Sequence, residues 1–216
     1  MSQLSRNFLA LALDDYLAAR LLLRTGLLPQ GTALAATSVE KHLKAVLALD
    51  NLFTKKHLGC SGLLTLARKG HPELANALNR DFMKFLDRAF RLRYASVDGP
   101  GFNLVISQHR TLIELDRTMV EIDSGFKVDG VKVLDATPFR EAIQARKQLL
   151  FDDNVALGDV SFNALSARKN KMYEIRVAEK LRTLTVEYDT DALNIIGDFC
   201  KSSDIGYKQT FRLALG

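Results

Sequence analysis

Apolar residues at helical spacing between Ala35 and Leu47 constrain the fold more than any other feature of this sequence. They are Ala35, Ala36, Val39, Leu43, Val46 and Leu47. On a helix of about 3.6 residues per turn they form one stripe, which has to be buried against other helices. Glu40 and Lys44 are four residues apart and are spaced to form an exposed ion pair.

Similar helical segments lie on both sides of this one. The first is predicted from Ser5 to Arg24, because it is rich in Leu and Ala and is followed by Gly26 and Pro29 as stop signals. Later helices are predicted over residues 61–68, 72–93 and 104–122. Short turns between helices of this length favour an up-and-down antiparallel arrangement. We therefore expect a mainly α protein, with a bundle of four to five helices.

The helical spacing of apolar residues ends at Gly125. Apolar and polar residues alternate around Asp129-Gly130, which predicts a β-hairpin because Asp-Gly suits the tight turn. We place a boundary here, between a helical bundle of residues 1–124 and a C-terminal α or α+β subdomain of residues 125–216. Thr137-Pro138 predicts the N-cap and first residue of a helix that runs to about Leu150.

A second basic segment lies in the C-terminal part. Its members are Arg168, Lys169, Lys171, Arg176, Lys180 and Arg182. Because Glu174 and Glu179 are interleaved with them, the segment predicts an exposed helix with ion pairs. Strands are predicted over residues 184–188 and 207–215, with a helix over 191–201 between them.

Composition excludes several classes of protein. The chain has 30 Lys and Arg against 25 Asp and Glu, a net charge of +5 that permits contact with nucleic acid without requiring it. Two cysteines without a CxxC motif predict neither a disulfide framework nor a metal site, and they suit a reducing cytoplasm. No apolar stretch reaches the ~18 residues of a membrane span. No dinucleotide, P-loop or metallohydrolase motif occurs, so no cofactor is expected.

Basic residues also recur along the helix predicted over residues 72–93. They are Arg80, Lys84, Arg88 and Arg91, with Arg93 and Tyr94 just beyond. This set could follow phosphates about one helical turn apart while Tyr94 stacks on a base. The simpler interpretation is a solvated helix face that Asp81 and Asp87 partly neutralise.

His109 and Asp116 are the candidates for catalytic residues. They are seven residues apart, so they share one helix face, and both fall within its apolar arc. Their backbones would lie ~10 Å apart, too far for a direct bond. Partners would have to come from other helices or a second subunit, at a ligand cleft or a dimer interface. The simpler interpretation is a core histidine and an aspartate at the edge of the stripe. His42 is predicted at a helix surface and His57 in a turn.

Three local patterns resemble the HEPN family (higher eukaryotes and prokaryotes nucleotide-binding). The segment 35–47 is similar to its second helix, with small residues followed by Glu-Lys-x-Leu-Lys-Ala. The His57-Leu58 turn and Leu63-Leu64 follow in order, and Arg93-Tyr94 resembles the end of its third helix. The resemblance covers about residues 5–123. It implies a helical bundle that forms a homodimer and associates with nucleotides or RNA.

Ribonucleases of this family use an arginine followed, after four to six residues, by a histidine in the last bundle helix. His109 is the histidine of that helix, but the positions four to seven residues before it hold Val105, Leu104, Asn103 and Phe102 and include no arginine. Asparagine cannot supply the positive charge that would stabilise a phosphorane-like transition state. The departure predicts a protein without nuclease activity of its own.

The sequence therefore predicts a cytoplasmic nucleotide- or RNA-binding protein that acts through a dimeric bundle, with the C-terminal subdomain available to a protein partner. Two alternatives stay open. One is an RNA-cleaving toxin or defence nuclease that uses His109 together with an arginine from elsewhere, such as Arg91 or Arg93. The other is a scaffold whose bundle only dimerises.

Overall fold

The computed structural model describes residues 3–49, 52, 54, 56–93, 102–125, 127–128, 131–132, 137–177 and 183–190. Its first two helices, α1 (Gln3–Arg24) and α2 (Leu28–Leu49), are joined by a tight turn at Gly26, which has a φ of +85°. The hydroxyl of Ser5 donates to the Ala45 carbonyl, and that of Ser38 donates to the Ala12 carbonyl. These pairs run in opposite order along the chain, so α1 and α2 are antiparallel.

The next helices are α3 (Gly59–Ala67), α4 (Pro72–Ala77) and α5 (Arg80–Phe90), and a 3₁₀ turn at Arg91–Arg93 follows α5. The single helix predicted over residues 72–93 is therefore wrong. Leu78 is extended, and the side chain of Asn79 accepts the backbone N–H groups of Asp81 and Phe82. Asparagine is among the best N-cap residues, and here it starts a new helix.

The helix predicted from Leu104 begins later. Residues Asn103–Ser107 form strand β1, and α6 runs over Gln108–Ser124 with the Ser107 side chain as its N-cap. The prediction failed because β1 pairs with a distant strand, a contact that local periodicity cannot show. Helix α2 lies in the middle of the bundle and contacts α1, α3, α5 and α6.

Two predicted features after residue 124 are confirmed. Strands β2 (Lys127–Val128) and β3 (Val131–Lys132) pair antiparallel across Asp129-Gly130. Helix α7 (Pro138–Gln144) begins as expected, since the Thr137 side chain accepts the Arg140 N–H. It ends early, however: Arg146 has a φ of +47°, and a separate short helix, α8 (Gln148–Phe151), follows.

The exposed helix predicted for the second basic segment is wrong. After α9 (Phe162–Ser166), residues Asn170–Val177 form β4, which is the central strand of an antiparallel sheet with the order β1-β4-β5. Strand β5 (Thr183–Thr190) confirms the strand predicted over residues 184–188. The helix predicted over 191–201 and the strand over 207–215 lie outside the described residues.

The mainly helical fold with a small sheet is thus confirmed. Strand β1 pairs with β4 from Asn103↔Arg176 to Ser107↔Met172, so the sheet crosses the predicted boundary at residue 124. The division into two domains stays a prediction. Among the described residues, no helix is long and apolar enough to cross a membrane.

Candidate functional site

Asp116 is bound inside the bundle by two residues of α1. Its Oδ2 atom forms an ion pair with Arg20 Nη1, and its Oδ1 atom accepts the Tyr16 hydroxyl at 2.7 Å. The side chains of Arg20 and Asp116 are 0% and 1% exposed. The sequence pattern predicts that Asp116 has polar partners outside its own helix. These partners come from α1 of the same chain.

The remaining donors of Arg20 reach the segment around α8. Its Nε atom donates to the Leu149 carbonyl at 3.0 Å, and Nη2 donates to the Asp152 carbonyl. Asn154 Nδ2 lies 3.3 Å from the Tyr16 hydroxyl oxygen. Burial disfavours the charged form of Arg20, but Asp116 and Tyr16 together raise its pKa. Arg20 therefore connects α1 with α6 and with residues 149–152.

His109 occupies a different environment at the start of α6. Its backbone N–H donates to Asn170 Oδ1 at 3.0 Å, and the residue is 5% exposed. Its Nδ1 atom is buried and has no hydrogen-bond partner within the described ranges. Burial and the nearby Arg168 guanidinium lower the pKa of His109, against a smaller opposing effect of Asp153. The imidazole is therefore neutral near pH 7.

Charged residues close to His109 are paired with one another. Arg168 Nη1 lies 2.5 Å from Asp153 Oδ1, and Arg24 contacts Asp153 Oδ2 at 3.1 Å and Asp152 Oδ2 at 2.8 Å. Hydrogen bonds to Arg168 and Arg24 lower the pKa of Asp153, although its partial burial acts in the opposite direction. The groups that act on His109 thus differ from those that bind Asp116.

The predicted basic residues of α5 divide into two groups. Arg80, Lys84, Arg91 and Arg93 are exposed, and we call these four residues the basic ridge. Arg88 is directed inward: its Nη2 atom donates to the Asn103 carbonyl, and its guanidinium carbon lies 5.3 Å from the centre of the Phe102 ring. Tyr94 lies outside the described residues.

The C-terminal end of the basic ridge is fixed to α2. The guanidinium carbon of Arg93 lies 4.3 Å from the centre of the Phe90 ring, and Arg93 Nη1 donates to Thr37 Oγ1 at 3.3 Å. Lys84 contacts Asp81 at 3.0 Å, but both side chains remain largely in water. Such an exposed pair contributes little to stability.

A cavity of about 330 Å³ lies beside the basic ridge, between α2, α3 and α5. Its lining includes Glu40, His57, Cys60, Asp87 and Arg91, and we call it the Glu40 cavity. The Glu40–Lys44 ion pair predicted from the sequence forms at 2.7 Å, but the two side chains are only 12% and 10% exposed, and the cavity itself was not predicted. Its walls come from three separate segments, and two of the patterns that resemble the HEPN family, Glu-Lys-x-Leu-Lys-Ala and the His57-Leu58 turn, contribute residues to them.

Asp87 is not available to a ligand in this cavity. Its carboxylate accepts the backbone N–H groups of Cys60 at 2.5 Å and Ser61 at 3.1 Å, as well as the Ser61 hydroxyl. Asp87 therefore caps the start of α3 and offsets the partial positive charge there. The close approach requires Gly59, whose φ is +69° and whose Cβ, if present, would lie 2.5 Å from Asp87 Oδ1.

The HEPN domain profile matches residues 5–117 of this chain. The matched region runs from the start of α1 into α6, and it contains the basic ridge, the Glu40 cavity, His109 and Asp116. Searches of curated proteins and of solved structures found no match to the chain.

Proposed function

Because the chain belongs to the HEPN family over more than half of its length, we propose that it binds RNA through the basic ridge and does not cleave it. The observation that carries this proposal is the exposure of Arg80, Lys84, Arg91 and Arg93 on one helix and its following turn. From Arg80 to Arg91 the ridge is about 16 Å long at the rise of a helix. Cations spaced along such a length suit a phosphate backbone.

The proposed lack of catalysis rests on the positions of the arginines and on the groups that they contact. None precedes His109 at the spacing of the family's nuclease motif. Arg20 is enclosed by Asp116 and backbone carbonyls, and Arg88 is engaged with Asn103 and Phe102. A guanidinium held in this way is not free to stabilise the developing charge on a phosphate.

Fluorescence anisotropy with a labelled single-stranded RNA tests the binding. We expect Arg80→Gln, Lys84→Gln and Arg91→Gln combined to weaken binding and to flatten its salt dependence, by roughly 0.7 in slope for each phosphate that the protein no longer neutralises. A matched triple variant, Lys69→Gln, Lys147→Gln and Lys169→Gln, removes the same charge from other exposed positions. If the two triple variants weaken binding equally, binding depends on the overall charge of the protein and not on the ridge. If no binding is detected at low salt, the scaffold alternative is favoured.

One observation favours RNA cleavage as the second candidate. Burial and the nearby Arg168 lower the pKa of His109 and so favour its neutral form, and its Nδ1 atom lacks a partner within the described ranges. A neutral imidazole beside a guanidinium can accept a proton near an anionic substrate. Incubation of the purified protein with RNA tests this, since cleavage that disappears in His109→Ala would establish it. Absent cleavage supports binding without catalysis, and cleavage indifferent to that change would exclude His109 as the catalytic residue.

The proposed assembly is a homodimer. Leu4, Leu11 and Leu21 of α1 are exposed by 44%, 53% and 43%, and Leu4 and Leu11 are one heptad apart. A second copy of the chain would remove this apolar surface from water. Light scattering should report twice the mass of the chain for the natural protein and a shift to monomer for Leu11→Lys.

A further inference from the structure

The Glu40 cavity adjoins the basic ridge through Arg91, which belongs to both. Its volume of about 330 Å³ is at the lower end of the range for small-molecule sites, ~300–1,000 Å³. A backbone that follows the ridge therefore passes the mouth of a cavity large enough for one base.

Glu40 is the carboxylate of this cavity that has a free acceptor. Its Oε1 atom accepts Lys44 Nζ at 2.7 Å and lies 3.3 Å from His57 Nδ1. Its Oε2 atom has no hydrogen-bond partner among the residues that the structure describes, whereas Asp87 is occupied by the start of α3. The Glu40 side chain is only 12% exposed, so a donor that reaches it is largely removed from water.

We propose that the Glu40 cavity takes one base of the bound RNA and that Glu40 selects guanine. This inference rests on the proposed binding of RNA by the basic ridge. A carboxylate only accepts hydrogen bonds, and guanine presents two neighbouring donors, N1–H and the 2-amino group, on its Watson–Crick edge. Uracil presents a single N–H between two carbonyl oxygens, which the carboxylate repels. Hypoxanthine, the base of inosine, keeps N1–H but lacks the 2-amino group.

Three RNAs that differ at one position test the proposal: a uridine hexamer, and the same hexamer with one guanosine or one inosine. Hydrogen bonds to charged groups are among the stronger ones, so we expect the guanosine RNA to bind about tenfold more tightly than the inosine RNA. The uridine hexamer should bind through the ridge alone. This comparison uses the natural protein and does not depend on how well any variant folds.

Two variants test whether Glu40 is the residue that distinguishes guanosine from inosine. Glu40→Gln keeps the size of the side chain but replaces one carboxylate oxygen by an NH2 donor and removes the negative charge, so the preference for guanosine over inosine should disappear. Glu121→Gln on α6 removes the same charge at an exposed position and should leave the preference intact. The ridge triple variant should weaken binding of all three RNAs by similar factors.

The outcomes separate this inference from the proposed function. Equal affinity for the guanosine and inosine RNAs, or a preference that survives in Glu40→Gln, would overturn base selection while leaving ridge binding in place. If no RNA binds, calorimetry with GMP and IMP decides. Tighter binding of GMP than of IMP would then show a guanine site without RNA binding by the ridge, and equal binding or no binding of the two nucleotides would overturn the selection of guanine as well.

Discussion

Arg20 and Asp116 are ninety-six residues apart and form an ion pair in which neither side chain is more than 1% exposed. Removal of one partner leaves an uncompensated charge in the core. We therefore expect Asp116→Ala to lower the free energy of unfolding by about 3–5 kcal/mol, measured by urea denaturation. The double variant Arg20→Met, Asp116→Leu should be destabilised less than Asp116→Ala alone, because it leaves no buried charge. A decrease below about 1 kcal/mol in Asp116→Ala would contradict this account.

A chain that ends at residue 124 should be less stable than one that ends at residue 190. The shorter chain lacks the Leu149 and Asp152 carbonyls that accept from Arg20, and it lacks strand β4. The longer chain keeps all of these partners and is the matched control. Urea unfolding followed by circular dichroism compares them. Equal midpoints would show that residues 1–124 fold as an independent domain.

Stability should depend on pH through His42. The sequence pattern predicts a surface position for this residue, but it is only 3% exposed, and its Nδ1 atom donates to the Ser38 carbonyl at 3.0 Å. Burial lowers the pKa of His42 to about 4, from 6.5. Between these values the unfolded chain takes up a proton more readily than the folded one. Stability should therefore be complete above pH 6.5 and fall as the pH drops toward 4.

The His42 contribution is on the order of 3 kcal/mol over that range. It is measured as the difference between the natural protein and His42→Gln in unfolding experiments at several pH values, which removes the contributions of other groups. The variant should show a shallower dependence between pH 4 and 6.5. Parallel curves for the two proteins would mean that His42 does not titrate differently on folding.

Arg88 and Arg80 should respond in opposite ways to substitution by alanine. Arg88→Ala removes a hydrogen bond to the Asn103 carbonyl and a contact with the Phe102 ring, so it should destabilise the fold by roughly 1–3 kcal/mol. Arg80 is exposed, and Arg80→Ala should change stability by less than about 0.5 kcal/mol while weakening RNA binding. Thermal unfolding and anisotropy, applied to both variants, check the contrast.

Sequence periodicity predicted the helices whose burial is continuous along one face, such as α1 and α2. It failed where a single side chain or a distant strand decides the structure. Asn79 divides the helix predicted over 72–93, and β4 converts the start of the helix predicted from Leu104 into β1. Strand β4 was not predicted for the same reason. Its ladder partners lie far away in sequence, and its interleaved charges resemble those of an exposed helix.

The candidate site was predictable only in part. The recurrence of basic residues along α5 predicted the basic ridge. It did not predict the inward orientation of Arg88, which depends on a contact with β1. Asp116 was recognised as an inward polar residue in need of partners, whereas Arg20 and Tyr16 could not be assigned to it because they lie about a hundred residues earlier. No local spacing connects α2, α3 and α5, so the Glu40 cavity had no pattern of its own.

The pairing of β1 with β4 has a consequence for synthesis on the ribosome. Ser107 and Asn170, sixty-three residues apart, are hydrogen-bonded at the start of α6, and Asn170 also accepts the His109 N–H. The hairpin of α1 and α2 is local and can form while the chain is still emerging. The start of α6 has to wait until β4 has left the exit tunnel, so the nascent bundle passes through a stage in which its last helix lacks this anchor.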